Sequence, residues 1–257
     1  MLTYIVIIYL ALLLIVFVRQ DSYIFFPVKG QYGHIAKQEN VEAYGITIEG
    51  VELHGWLVNS EYARDKLVIY YGGNAEDVYW NIGEHYDKAG YALLLVNYRG
   101  YGLSGGSPGE KRLFADAVSI YDDVTKKYEP RKMILYGRSL GSGVAAYLSS
   151  VRRTDGMILV SPYDSIVNMA KKQFPYFPVA LMLKHRFDSI SYMKDYSGPL
   201  CIIYGGRDSI IPPARTQNLM RHLSQKPQLV AIEAADHNDI AAYPEYEQTV
   251  QGFIGKI

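Results

Sequence analysis

The chain has 257 residues, 49% apolar and 20% charged, a length and balance suited to one globular domain. Its 26 basic and 26 acidic side chains cancel, which removes the electrostatic basis for binding nucleic acid or a strongly acidic substrate. A single cysteine, Cys201, excludes an intrachain disulfide and a multi-cysteine zinc site, and its apolar neighbours mark it as a small buried hydrophobe.

Residues 2–18 carry no charge and only Thr3 as a small polar break. At about 1.5 Å per residue a helix here nearly crosses a hydrocarbon core of about 30 Å. Residues 1–20 are therefore read as a transmembrane anchor, with Tyr23, Phe25 and Phe26 placed for an interfacial belt. A cleaved signal peptide is the rival reading, but the basic start and small-residue cleavage site it wants are missing. Arg19, Lys29 and Lys37 follow the span and no lysine or arginine precedes it, which favours a cytoplasmic location for the domain beyond. Residues 21–42 read as a juxtamembrane linker and 43–257 as one domain.

In that domain short apolar runs alternate with helical patterns. The predicted strands are 45–48, 53–58, 67–71, 92–97, 133–136, 157–160, 200–204 and 228–232. The predicted helices are 78–89, 111–127, 140–151, 164–172, 215–222 and 243–257. Most of the strands are β-branched and bounded by glycine, proline or charge, as in strands buried on both faces. The pattern predicts an α/β fold with a mostly parallel eight-stranded sheet flanked by helices, whose chemistry gathers at the carboxyl ends of the strands.

After the run 133–136 comes Gly137-Arg138-Ser139-Leu140-Gly141, a G-x-S-x-G between a strand and a helix. The serine of such a turn is lifted clear of the sheet at a helix N-terminus, and the glycines leave room for strand and helix to approach. A glycine-rich packing turn is the bland alternative. After the run 200–204 comes Gly205-Gly206-Arg207-Asp208, and after the last strand Ala235-Asp236-His237-Asn238-Asp239. Serine, acid and histidine thus follow in the order that this motif requires. A serine hydroxyl needs a base to become a nucleophile, an imidazole can take and return the proton, and a buried carboxylate fixes its tautomer. Ser139, His237 and Asp208 are the expected triad; Asp236 and Asp239 are nearby acids, too close in sequence to orient the ring easily.

Together with Tyr70-Tyr71-Gly72-Gly73-Asn74-Ala75 and with residues 97–108, Asn-Tyr-Arg-Gly-Tyr-Gly-Leu-Ser-Gly-Gly-Ser-Pro, these residues resemble the α/β-hydrolase superfamily. More narrowly, they are similar to its small, N-terminally anchored serine hydrolases related to the protein depalmitoylases of this fold. The resemblance runs from about Tyr44 to the C-terminus, with Gly72 standing where relatives often have histidine. It implies hydrolysis of an ester, thioester or amide without metal or cofactor. It nominates the backbone amides of Asn74 and Leu140 as the oxyanion hole. The loop 99–108 is expected to be structural. Aspartate would be needed in place of Ser139 for a dehalogenase. A peptide hydrolase on the same triad, or a non-catalytic binding protein of the fold, remain the other function classes.

His34, His54, His85, His185 and His222 show no metal spacing, and Asp164 and Asp188 are expected as helix N-caps. Between 162 and 199 there is room only for a minimal lid. Its apolar stretch, with Phe174, Phe177 and Leu181, is either a short packed helix or a rim that receives an acyl chain. The expected partners are an acyl-bearing small molecule, lipid or acylated protein, and the membrane itself.

Overall fold

In the computed structural model, which describes residues 1–30, 39–83 and 90–257, the apolar runs assemble into one eight-stranded sheet. The strands are β1 (Val41–Ile48), β2 (Val51–Val58), β3 (Lys66–Tyr71), β4 (Ala92–Val96), β5 (Lys132–Arg138), β6 (Gly156–Val160), β7 (Leu200–Gly205) and β8 (Gln228–Ile232). Their order is β1-β2-β4-β3-β5-β6-β7-β8. The first two pairings are antiparallel and the rest parallel. Among the described residues the helices are α1 (Leu2–Ile24), α2 (Glu110–Tyr128), α3 (Leu140–Val151), α4 (Ile166–Gln173), α5 (Val179–Met182), α6 (Ser189–Met193), α7 (Pro213–Met220) and α8 (Pro244–Ile254).

Successive residues of a strand point to opposite faces, and both faces here are covered. Leu67, Ile69 and Tyr71 of β3 join the core beneath α2 and α3, while Val68 and Tyr70 join the one beneath α8. This double burial is why the central strands read as continuous apolar runs.

The helix expected over 78–89 is only a 3₁₀ turn, Val78–Asn81, where the structure describes it; residues 84–89, with His85, lie outside the described residues, as do 31–38 with His34. The Asp77 carboxylate accepts the Tyr79 amide at 3.1 Å, and extended backbone at Ile82 ends the turn. Asp188 caps α6 as expected, accepting the Ser191 amide at 3.4 Å. Asp164 does not cap α4: Ser165 does, accepting the Asn168 amide at 3.1 Å. Asp164 is instead fully buried and accepts from Arg215 at 3.1 Å and Asn218 at 2.6 Å, tying α4 to α7.

The loop 99–108 is an internal brace. Arg99 pairs with Asp116 of α2 at 2.7 Å, both side chains 5% exposed, and left-handed Gly100 and Gly106 fold the chain around that pair. Tyr98 donates to the Gly72 carbonyl at 2.8 Å and Tyr101 to Asn74 Oδ1 at 2.7 Å, so the brace also supports the loop after β3.

α1 runs to Ile24, and its last turn and the residues after it, where described, are held against the domain. Gln20 is buried; its amide donates to the Met182 carbonyl at 3.3 Å and accepts the Lys184 N–H at 2.7 Å. Asp21 pairs with His185 at 2.9 Å, and Phe25 packs on the His185 and Phe187 rings. These tertiary partners stabilise the last turn. Among the described residues, α1 is the one helix long and apolar enough to cross a membrane, and so a candidate span.

Candidate active site

Ser139 joins β5 to α3 with φ 51° and ψ −116°, a conformation unfavourable for a side chain other than glycine and typical of a strained functional turn. The Ser139 amide holds the turn to the sheet by donating to the Val160 carbonyl at 2.9 Å. The flanking glycines are steric necessities. A Cβ on Gly137 would lie 2.5 Å from the Gly141 carbonyl oxygen, and one on Gly141 would lie 2.0 Å from that of Tyr71.

His237, in the loop after β8, sets its Nε2 2.9 Å from Ser139 Oγ and its Nδ1 2.7 Å from Asp208 Oδ2. A carboxylate only accepts, so Nδ1–H donates to Asp208 and Nε2 is left to accept the serine proton. Asp208 Oδ1 accepts the amides of Ile210 at 3.0 Å and Ile211 at 2.6 Å, which fixes the carboxylate behind the ring. All three residues are buried, at 7%, 5% and 4% exposure for Ser139, His237 and Asp208. Asp236 never reaches the ring. Its exposed carboxylate accepts the Ser209 amide at 2.8 Å and the His237 amide at 2.7 Å, and these bonds hold it below the ordinary carboxylate range. It clamps the acid loop to the histidine loop.

The loop after β3 lies against this group: a Cβ on Gly73 would sit 3.7 Å from Ser139 Cβ. Among the described residues no hydrogen bond engages the main-chain amides of Asn74 or Leu140, and both residues line the cleft beside Ser139. The Gly73 amide, in contrast, donates to Glu76 at 2.6 Å. Glu76 also pairs with Arg138 at 2.9 Å, and Arg138 donates to the His237 carbonyl at 3.2 Å. Sequence reasoning missed this pair, because its partners are far apart in the chain and Arg138 fills the variable position of the motif. The Asn74 side chain accepts the Phe26 amide at 2.9 Å and donates to the Ile24 carbonyl at 2.7 Å, so the end of α1 is bonded to this loop.

Ser139 opens into a largely apolar cleft of about 510 Å³. Phe174 lines it; Phe177 and Leu181 do not. Phe177 packs instead on the rings of Phe174 and Tyr9, at 6.0 and 6.1 Å. Leu181 is 89% exposed: Val179 and Leu183, one helical turn apart across the single-turn α5, face the cleft and so turn Leu181 outward. The other walls are Met169 of α4, Ile210 and Ile211 beside Asp208, and Val16, Gln20, Tyr23, Ile24 and Phe26 from the N-terminal segment. The last group had no counterpart in the sequence reading; the one available signal was Gln20, a lone neutral amide at the end of an apolar span.

A strained serine turn after β5, an acid after β7 and a histidine after β8, on a mostly parallel sheet with an antiparallel start, make this an α/β-hydrolase fold. Over residues 63–192 the sequence matches the family described as serine aminopeptidase, S33, and the chain belongs to that family within the α/β-hydrolase superfamily. An uncharacterized membrane protein of Saccharomyces cerevisiae is 30% identical over 219 residues, covering 81% of this chain and 77% of that one. The alpha/beta hydrolase domain-containing protein 17C of Xenopus tropicalis is 29% identical over 195 residues, 73% of this chain and 61% of that one. An esterase of Pyrococcus furiosus superposes with a TM-score of 0.69 at 21% identity, over 90% of this chain and 99% of its own. The chain is thus a hydrolase of this fold.

Proposed function

We propose that this hydrolase cleaves acyl esters or thioesters through an acyl-enzyme intermediate on Ser139. The observation that carries the reading is the continuous chain from Asp208 to His237 to Ser139, at 2.7 and 2.9 Å, opening into an apolar cleft. Ser139 Oγ attacks the carbonyl carbon while its proton passes to His237 Nε2, and the imidazolium is stabilised by Asp208. The tetrahedral oxyanion is met by the amides of Asn74 and Leu140, the latter at the positive end of α3. His237 returns the proton to the leaving alcohol or thiol, whose C–O or C–S bond breaks. Water, deprotonated by the same imidazole, then releases the carboxylic acid and regenerates the serine.

The apolar walls suit an acyl chain. An aminopeptidase would need a carboxylate to hold a substrate ammonium, and among the described residues no aspartate or glutamate lines the cleft. The likeness to protein 17C and the motif resemblance to depalmitoylases support a lipid or acylated protein as the acyl donor. The apolar α1 supports membrane attachment, and Arg19 near its end with Lys29 beyond it favours a cytoplasmic site. The test is fluorophosphonate labelling of the detergent-solubilised full chain, followed by turnover of matched acyl esters, acyl thioesters and aminoacyl amides. Labelling and ester or thioester turnover are expected for the wild type. Ser139→Ala is expected to lose labelling and at least about 10³-fold in kcat. Faster cleavage of aminoacyl amides would replace this reading with a peptidase.

A further inference from the structure

Residues 2–18 present no charge on any side of α1, so a lipid environment would immerse this helix and not merely float it at the surface. The segment between α4 and α6 is fastened along it. Tyr9 donates its hydroxyl proton to the Tyr176 carbonyl at 2.8 Å, and Gln20 holds Met182 and Lys184. Tyr9 precedes Arg19 by about 15 Å of helix, half of a hydrocarbon core of about 30 Å. A bilayer that takes in α1 from Tyr9 to Gln20 takes in residues 174–183 with it.

That segment is built for such a place. It holds no charged residue, and it exposes Tyr176 by 85% and Leu181 by 89%. Irregular backbone in hydrocarbon must satisfy its own polar groups. Six of the eight amides in the segment, those of Phe174, Phe177, Val179, Leu181, Met182 and Leu183, donate to carbonyls within residues 170–179, and Pro175 and Pro178 have no N–H to satisfy; among the described residues no hydrogen bond engages the amides of Tyr176 and Ala180. Exposed Lys171, Lys172, Lys184 and Arg186 flank it, with Lys184 Nζ 4.6 Å over the Phe17 ring, as basic groups at a headgroup boundary would be. The inner side of the same assembly is the cleft wall: Val16 and Ile24 of α1 face Phe174, Val179 and Leu183 across the space above Ser139.

We propose that α1 and residues 174–183 form one membrane-embedded clamp, and that the cleft takes the acyl chain of a bilayer-resident ester or thioester directly from the surrounding leaflet. The proposal rests on the acyl-hydrolase reading for its substrate but not for its membrane placement. α1 is then half of the acyl site as well as a tether.

The experiment uses the full chain in phosphatidylcholine nanodiscs. A nitrobenzoxadiazole fluorophore is attached at Leu181→Cys or at Lys226→Cys, the latter exposed at the opposite end of the sheet; native Cys201 is buried and does not compete. Lipids with a spin label on the acyl chain are expected to quench the probe at 181 strongly and the probe at 226 hardly at all. Equal quenching at both sites, or ready access of aqueous iodide to the probe at 181, would overturn the embedded clamp. In the same discs Val16→Trp is expected to lower the ratio of dodecanoyl to acetyl ester kcat/KM by about tenfold or more, and Val16→Ala to shift it toward longer chains. Ratios unmoved by both substitutions would overturn the acyl site on α1. Fluorophosphonate labelling of Ser139 in the wild type reads the hydrolase assignment separately: its failure sinks that assignment while the quenching still decides where the clamp lies.

Discussion

Replacing Gly141 by alanine tests the architecture of the serine turn without touching a reacting group. The added Cβ would stand 2.0 Å from the Tyr71 carbonyl oxygen, 2.5 Å from its carbon and 2.7 Å from the Gly72 oxygen. All three are main-chain atoms at the end of β3, so no side chain can swing aside. Relief requires α3 and β3 to separate by roughly 1 Å or more. Overpacking of this kind costs about 1–3 kcal/mol, and a backbone clash belongs at the upper end. For a chain of this size that corresponds to a fall in Tm of about 6–12 °C. The loop carrying Gly73 and Asn74 follows directly, and displacing an oxyanion donor by about 1 Å is expected to lower kcat by about 10²-fold. Thermal melting by circular dichroism gives the first quantity, and ester turnover well below the melting range gives the second. A variant with wild-type Tm and kcat would refute the claim that strand and helix are in contact through this glycine.

Asp208→Asn is expected to reduce kcat by about 10³–10⁴-fold, whereas Asp236→Asn, whose side-chain oxygen still accepts the Ser209 and His237 amides, should cost less than about tenfold; the reverse ranking in ester turnover would reassign the acid. Asp116→Ala removes the buried counter-charge of Arg99 and leaves it, among the described residues, only the exposed Glu49 at 3.7 Å as an ion-pair partner; it is expected to destabilise the fold by about 3–5 kcal/mol in urea titration, with a loss below about 1 kcal/mol contradicting the brace described for residues 99–108. Burial pushes the Cys201 thiol up to about 12, so a raised pKa leaves almost no thiolate at pH 8; iodoacetamide should modify it only after unfolding, and modification of the native protein at a free-thiol rate would contradict its burial.

The parts that chemistry confines to strand ends were legible in the sequence. Ser139, Asp208 and His237 each follow an apolar run and sit among glycines or turn residues, so local pattern and chain order together located them. The core strands were legible because burial on both faces leaves an unbroken apolar run. The segments that escaped are held by partners distant in sequence. Gln20 takes its role from Met182 and Lys184, Asp164 from Arg215 and Asn218, and no periodicity announces either. Phe177 and Leu181 were misplaced for a different reason: an apolar stretch says that something greasy is there, while the direction of each side chain depends on where a four-residue helix begins.

Arg138 stands at the variable position of its motif, yet its guanidinium joins Glu76 at 2.9 Å and the His237 carbonyl at 3.2 Å, while Glu76 holds the Gly73 amide at 2.6 Å and the Tyr70 hydroxyl at 2.7 Å. Loops from three distant parts of the chain thereby meet on one keystone. Substitutions at 76 and 138 should show strong epistasis, since losing either partner strands a charge with 20% or less of its side chain exposed, and the second loss then adds little. A library that randomises one of these loops alone will return mostly dead variants, whereas one that varies positions 76 and 138 together samples the exchanges this site can accept.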